Sequence, residues 1–397
     1  MYFRIALIAA CAVPLMPVAG QTPLSRSDAI RTALERGARL PVARADTVIA
    51  NAAVLTARAY PNPTISAVRA KAVPTHRADL TIPFEFPMMR QLRIRSAQVG
   101  LQAAKVKYQF DRAMIAMEAD TTYTRAIAAR ERVALSQRNA LEADSLLRMV
   151  MSRCDAGDAS EMDVALARVT AGQAANVAAS DSLNAVSTVL DLQAVLGLTS
   201  ERIEIAASDS LGVAPAPAAL AATSLDVTAA SLTLESASLS AQMQHRSIWS
   251  QFSFLLGIEE GDPSQPGILP NFGAGITLPL FNRNAGPIAQ AEAERVRAQA
   301  QLTLTQVEAR NALSHALRER ANALARIERD RAVIASANQV AAMSLTAYRE
   351  GAASIVNVLE ARRSARDLLS QYIDDLALAW IATAELRVFS LTPTPAP

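Results

Sequence analysis

Gly157-Asp158-Ala159-Ser160-Glu161-Met162-Asp163-Val164-Ala165-Leu166-Ala167-Arg168 is met again 194 residues later as Gly351-Ala352-Ala353-Ser354-Ile355-Val356-Asn357-Val358-Leu359-Glu360-Ala361-Arg362. Six of the twelve positions are identical, and Asp163 faces its near-isostere Asn357. Each stretch offers a glycine that stops one helix and a serine suited to capping the next. Upstream, Ile82-Pro83-Phe84 matches Leu278-Pro279-Leu280 at an offset of 196. Alanine-rich helices match by chance, but not with the same glycine, the same arginine and a nearly constant offset. The chain therefore reads as a tandem duplication.

Working outward, each half repeats one order of elements. Residues 25–60 carry an amphipathic helical pattern, broken or kinked near Gly37 and Pro41 and ended by Pro61-Asn62-Pro63. Residues 64–73 and 78–86 read as strands around a Pro74-Thr75-His76-Arg77 turn. Leu80, Ile82, Phe84 and Phe86 alternate there with Asp79, Thr81, Pro83 and Glu85, which gives one apolar and one mostly polar face. In the second half the matching strands are 247–256 and 272–280, with a polar, Gly- and Pro-rich connection over 257–270. Two long helices follow the hairpins, over 91–153 and 287–349, each about 95 Å at 1.5 Å per residue. Return helices run from Ser160 and Ser354 to about Leu198 and Leu391. The expected organisation is a leader over 1–20, a first repeat over 21–198, a linker over 199–222 and a second repeat over 223–397. Within the repeats the β-hairpins occupy 64–86 and 247–281 and the helical hairpins 91–198 and 287–391.

Composition narrows the class. Of 397 residues 51% are hydrophobic but only 4% aromatic, as suits long helices packed through small side chains. A net charge of +2 with no basic stripe interleaved with aromatics argues against nucleic acid as a partner. The first twenty residues resemble an export signal: Arg4, an apolar run over 5–18, and Val18-Ala19-Gly20 before Gln21. Ile8-Ala9-Ala10-Cys11 also resembles a lipobox, so lipidation at Cys11 stays open; the only other cysteine is Cys154. Nine- or ten-residue strands have the length needed to cross a bilayer when tilted. Four cannot close a barrel, and open edges are not tolerated in lipid. The chain must oligomerise if its strands span a membrane: two copies give eight strands, three give twelve.

The sequence resembles the TolC family of outer-membrane channel proteins. Leu278-Pro279-Leu280-Phe281-Asn282-Arg283-Asn284 followed by Gly286-Pro287-Ile288-Ala289-Gln290-Ala291 looks like its heavy-metal and multidrug efflux branch. The resemblance covers residues 25–391. It implies a mainly α chain with a small transmembrane β part. Three copies would join a long α-helical coiled-coil barrel to a twelve-stranded β-barrel to which each protomer contributes four strands. It also implies a homotrimer in the outer membrane of a Gram-negative bacterium, its helices in the periplasm. Its role would be the passive exit duct for an inner-membrane transporter, of the RND type, coupled through a periplasmic adaptor protein.

The resemblance assigns site residues. Asp163 and Tyr348 match the acid and the tyrosine that close the family's periplasmic gate, with a hydrogen bond expected between them. An arginine that well-known members add falls at Ala353. The entrance rings of acidic residues fall at Asn357 and Glu360, leaving one ring neutral and one acidic. The tips at Gly157 and Gly351 are expected to meet the adaptor.

No catalytic constellation, phosphate loop or nucleophile elbow is visible, so neither an enzyme nor a cofactor is expected. His76, His245 and His315 show no metal-ligand spacing, and no metal site is expected. Trp249 and Trp380 serve as position markers, Trp249 near a membrane interface. Two other readings stand beside the efflux duct: an exit duct for secreted polypeptides, and a soluble periplasmic adaptor or coiled-coil scaffold.

Overall fold

The computed structural model describes residues 23–198, 205–206, 209–247, 252–276, 281 and 283–393. The expected leader with Cys11, Trp249 and the Leu278-Pro279-Leu280 motif lie outside the described residues. Among the described residues, seven helices and four strands follow in the order α1 (Arg26–Arg36), α2 (Arg39–Arg58), β1 (Thr64–Arg69), β2 (His76–Phe84), α3 (Pro87–Asp155), α4 (Glu161–Leu196), α5 (Leu225–Arg246), β3 (Phe252–Glu260), β4 (Leu269–Ile276), α6 (Ala285–Arg349) and α7 (Ile355–Phe389). The two long helices extend to 69 and 65 residues, about 104 and 98 Å. Proline stands at the start of α3, where its missing N–H was without a partner anyway. Pro41 falls in the first turn of α2 for the same reason, so the break over 25–60 comes at Gly37.

The strands form one antiparallel sheet ordered β1-β2-β3-β4. Directly paired residues point to the same side. Leu80 pairs with Leu256, Ile82 with Phe254 and Phe84 with Phe252. Phe254 in turn pairs with Ala274, Leu256 with Phe272 and Phe252 with Ile276. One face is thus almost wholly apolar and open to its surroundings, Phe272 being 78% and Phe254 45% exposed. Phe84, Phe86, Phe252 and Phe254 meet edge to face, with centroids 5.0–6.3 Å apart for the four pairs. The other face is mostly polar or small, with Ser66, Asp79, Thr81, Ser253, Asn271, Gly273 and Gly275, and Val68, Pro83, Leu255 and Leu269 as its apolar members.

The strand positions differ from expectation in the second half. β3 runs to Glu260 rather than stopping at Leu256, and β4 begins at Leu269. Gly257 explains the difference. It looks like a loop glycine in the sequence, yet it sits in the centre of the sheet between Asp79 and Asn271. A Cβ there would lie 2.4 Å from the Asp79 carboxylate and 2.2 Å from the Asn271 amide oxygen. In the first hairpin β1 stops at Arg69 and β2 already starts at His76, the turn closing with Ala70 N–H on the Thr75 carbonyl at 2.9 Å.

α3 packs along α4, α5, α2, α1 and α7, and α6 along α7 and α5. Midway, α4 ends at Gly197 (φ +72°) against the α1–α2 break, so closely that a Cβ would fall 2.7 Å from the Arg36 carbonyl oxygen. At this level nearly all of α3 between Ala119 and Ala129 is buried, as expected of a helix surrounded on all sides. Tyr123, Ile127, Leu192 and Leu196 fill one core there, and Ala323, Ile327, Leu376 and Ala379 another. Asp120, with a side chain only 3% exposed, is held by Arg26 and by Arg387 at 2.7 Å. Arg26 also lies 4.0 Å from the centroid of the Trp380 ring. The Tyr123 hydroxyl donates to the Leu24 carbonyl at 2.8 Å and the Asp209 carboxylate at 2.7 Å. Burial, then that carboxylate, pushes its pKa well up. Trp380 Nε1 donates to the Gly212 carbonyl at 2.7 Å and Arg320 to that of Pro215 at 3.1 Å, so the expected linker is strapped across this waist.

Candidate channel entrance

At the far end from the sheet, the two helical hairpins turn in the same way. Asp158 N–H reaches back to the Arg153 carbonyl at 2.8 Å, and Ala352 N–H to that of Ala347 at 2.8 Å. In both turns the glycine takes the left-handed conformation, φ +84° at Gly157 and +77° at Gly351. These bonds satisfy carbonyls that the helix end leaves over, and glycine removes the Cβ clash of that conformation. Nothing lies within 4 Å of either missing Cβ, so the tips are open.

The return helices start differently although their capping serines share a backbone conformation. Ser160 Oγ accepts from Asp163 N–H at 3.2 Å, and the Asp163 carboxylate accepts from Ser160 N–H at 3.1 Å. This reciprocal box satisfies two free donors at the start of α4. Ser354 makes no such bond. Ile355 and Val358, 1% and 0% exposed, anchor α7 into a cluster with Leu146, Val150, Ala167 and Tyr348. Four helices thereby meet at the tip.

Tyr348 is 5% exposed. The Arg153 guanidinium lies 4.9 Å from its ring centroid and donates to the carbonyls of Tyr348 and, at 3.3 Å, Arg349. The phenol is pushed up mainly by burial, with the Asp163 charge adding and Arg153 opposing. Tyr348 is thus packed in the tip cluster, with Asp163 near enough for its charge to act on the phenol. Among the described residues the two are not hydrogen-bonded to each other: the Tyr348 hydroxyl is buried without a partner there, and the Asp163 carboxylate is engaged by Ser160. Arg153 was not foreseen. It brings a guanidinium to the cluster from α3, whereas the resemblance looked for an arginine at Ala353. No local spacing announces it, because it meets Tyr348 across 195 residues. Asn357 and Glu360 stand exposed, three residues apart on the side of α7 away from Ile355 and Val358.

A second unforeseen grouping lies nearer the waist. His315 and Glu319, one turn apart on α6, approach Glu385 of α7, with one potential ligand atom from each lying within 4.8 Å of the others. Burial raises the Glu385 pKa, the charge of Glu319 adding and His315 opposing. The sequence reading found no metal-ligand spacing at His315; the grouping emerges only in the fold, because Glu385 lies 66 residues beyond Glu319.

Architecture and tip geometry together define the fold of outer-membrane channel proteins, the one the sequence resemblance called for. The chain is similar to CusC, a structure concerned with transmembrane channel formation, at 18% identity and a TM-score of 0.77 over 96% of this chain and 97% of that one. It is likewise similar to the outer-membrane protein VceC of Vibrio cholerae (18% identity, TM-score 0.77, 92% and 96% covered). For the CmeC outer-membrane channel of Campylobacter jejuni the figures are 16%, 0.75, 92% and 85%. No protein-family profile matches the chain, and no curated protein sequence matches it.

Proposed function

We propose that this chain is the outer-membrane exit duct of a tripartite efflux system. It would pass small molecules or metal ions handed over by an RND-type inner-membrane transporter and a periplasmic adaptor. One observation carries the reading. A four-stranded sheet, apolar and exposed on one face and mostly polar or small on the other, stands with two open edges at the head of two helices about 100 Å long. An open edge in lipid must be paired. Three copies closing edge to edge give twelve strands with lipid-facing phenylalanines outside and Asp79, Thr81 and Asn271 towards a watery lumen.

In this reading residues 1–20 are an export leader, and 21–198 and 223–397 are repeats joined by 199–222. Asp163 and Tyr348 close the periplasmic end, Asn357 and Glu360 ring the entrance, and the Gly157 and Gly351 tips dock on the adaptor. Three Glu360 carboxylates near one axis would favour cations over anions. The chain performs no chemistry of its own. The test is the native mass of the protein extracted from outer membranes, corrected for bound detergent, followed by conductance in a planar bilayer. Three chains per particle and a conducting pore are expected. A soluble monomer that never partitions into membranes would overturn the duct and favour a periplasmic scaffold.

A further inference from the structure

We propose that His315, Glu319 and Glu385 form a binding site for a zinc-like divalent cation that ties α6 to α7 near the waist of each chain. The donor set is one imidazole and two carboxylates, whose combined charge a dication neutralises. Imidazole with carboxylate suits zinc, cobalt and nickel better than calcium or magnesium, which take oxygen alone. His315 Nδ1 already stands 3.5 Å from Glu319 Oε2. Neighbouring ligand atoms around a tetrahedral zinc lie about 3.3 Å apart, given metal–ligand bonds of about 2.0–2.1 Å. The whole set lies within 4.8 Å, so closing it to that spacing asks for carboxylate shifts of at most about 1.5 Å. Three protein ligands leave a fourth position for water.

What surrounds the cluster strengthens the assignment. Two carboxylates brought together on facing helices need a counter-charge, and the nearby arginines are engaged elsewhere. Arg326 grips Asp375 with both distances under 3.0 Å. Arg320 donates to Thr383 Oγ1 at 3.0 Å and to the Pro215 carbonyl. Arg387 is held by Asp120. Arg318 lines the same groove as His315 and Glu319, but among the described residues it makes no ion pair with either carboxylate. Half-buried Glu385 has no hydrogen-bond or ion-pair partner among the described residues. A cation would add to the limited counter-charge of His315, and would pin α7 to α6 beside the Arg320–Thr383 bond.

The full mature protein in detergent, freed of metal by chelation, is titrated with Co²⁺, and its visible absorption is read as a signature of coordination. Saturable binding of one Co²⁺ per chain is expected, displaced by Zn²⁺, with zinc raising the thermal midpoint. H315A and the conservative E385Q should each weaken binding by at least the roughly tenfold that even outer-shell changes cost. H245A serves as the contrast, because His245 pairs with Glu292 elsewhere at 3.0 Å and should leave the titration unchanged. No saturable signal below on the order of 1 mM free Co²⁺ would overturn the site, as would a signal that survives both H315A and E385Q. The titration needs no transport, so the duct and the cation site fail separately.

Discussion

Asp120 shows how much one side chain can hold. Its carboxylate is buried between Arg26 of α1 and Arg387 of α7, and so joins both ends of the chain to the middle of α3. D120A should cost about 1.5–3 kcal/mol, since it removes the buried charged partner of Arg26 and of the partly exposed Arg387; a thermal midpoint unchanged from wild type would show that water replaces it. Tyr348 gives the opposite forecast. Its hydroxyl has no partner among the described residues, so Y348F should change stability by less than about 1 kcal/mol, while Y348A should cost about 3–5 kcal/mol by emptying the tip. If Y348F also raises single-channel conductance, the assembled duct uses that hydroxyl for closure. Glu385 makes stability depend on pH. Its carboxyl titrates higher folded than unfolded, so between those two values the folded chain holds the extra proton. Stability therefore falls as pH rises through that window. In chelator, E385Q should abolish this decline, as thermal midpoints measured across pH would show.

Among the elements, the helices were easier to read than the strands. More than sixty positions without an internal proline, stopped by glycine, leave little choice of structure or end. The expected ends of α3 and α6 fall within four residues of those observed. Strands are short and are positioned by partners that local sequence does not name. Gly257 misled because a missing side chain marks a turn in one context and a tight cross-strand fit in another. The site divides in the same way. Gly157, Gly351 and Ser160 speak through nearest neighbours and could be read directly. Arg153 and Glu385 act across helices and could not. The duplicated starts of α4 and α7 offer a controlled comparison. S160A should destabilise by about 1 kcal/mol through loss of the capping box, whereas S354A, whose side chain caps nothing, should cost little. Equal losses in paired denaturation curves would show that the box contributes nothing.

For the molecule as a whole, assembly should hinge on the apolar side of the sheet. L256R places a charge in the middle of that side and should cost about 2–4 kcal/mol per chain at mid-bilayer depth. The loss would be read as fewer heat-resistant oligomers in outer-membrane fractions; undiminished assembly would argue that this side faces water. The waist has a mechanical consequence. There α4 stops and α1 gives way to α2, while α3 continues unbroken. From Tyr123 down to Asp155 that helix is a lever arm of about 48 Å. A bend of only about 5° at its pivot swings the tip sideways by about 4 Å, on the scale of the 5.4 Å helical pitch. Little angular work at the fulcrum therefore yields a wide throw at the mouth. If the tips close a duct as proposed, side chains far from them, Asp120 among them, would help set the stiffness that an opening force must overcome.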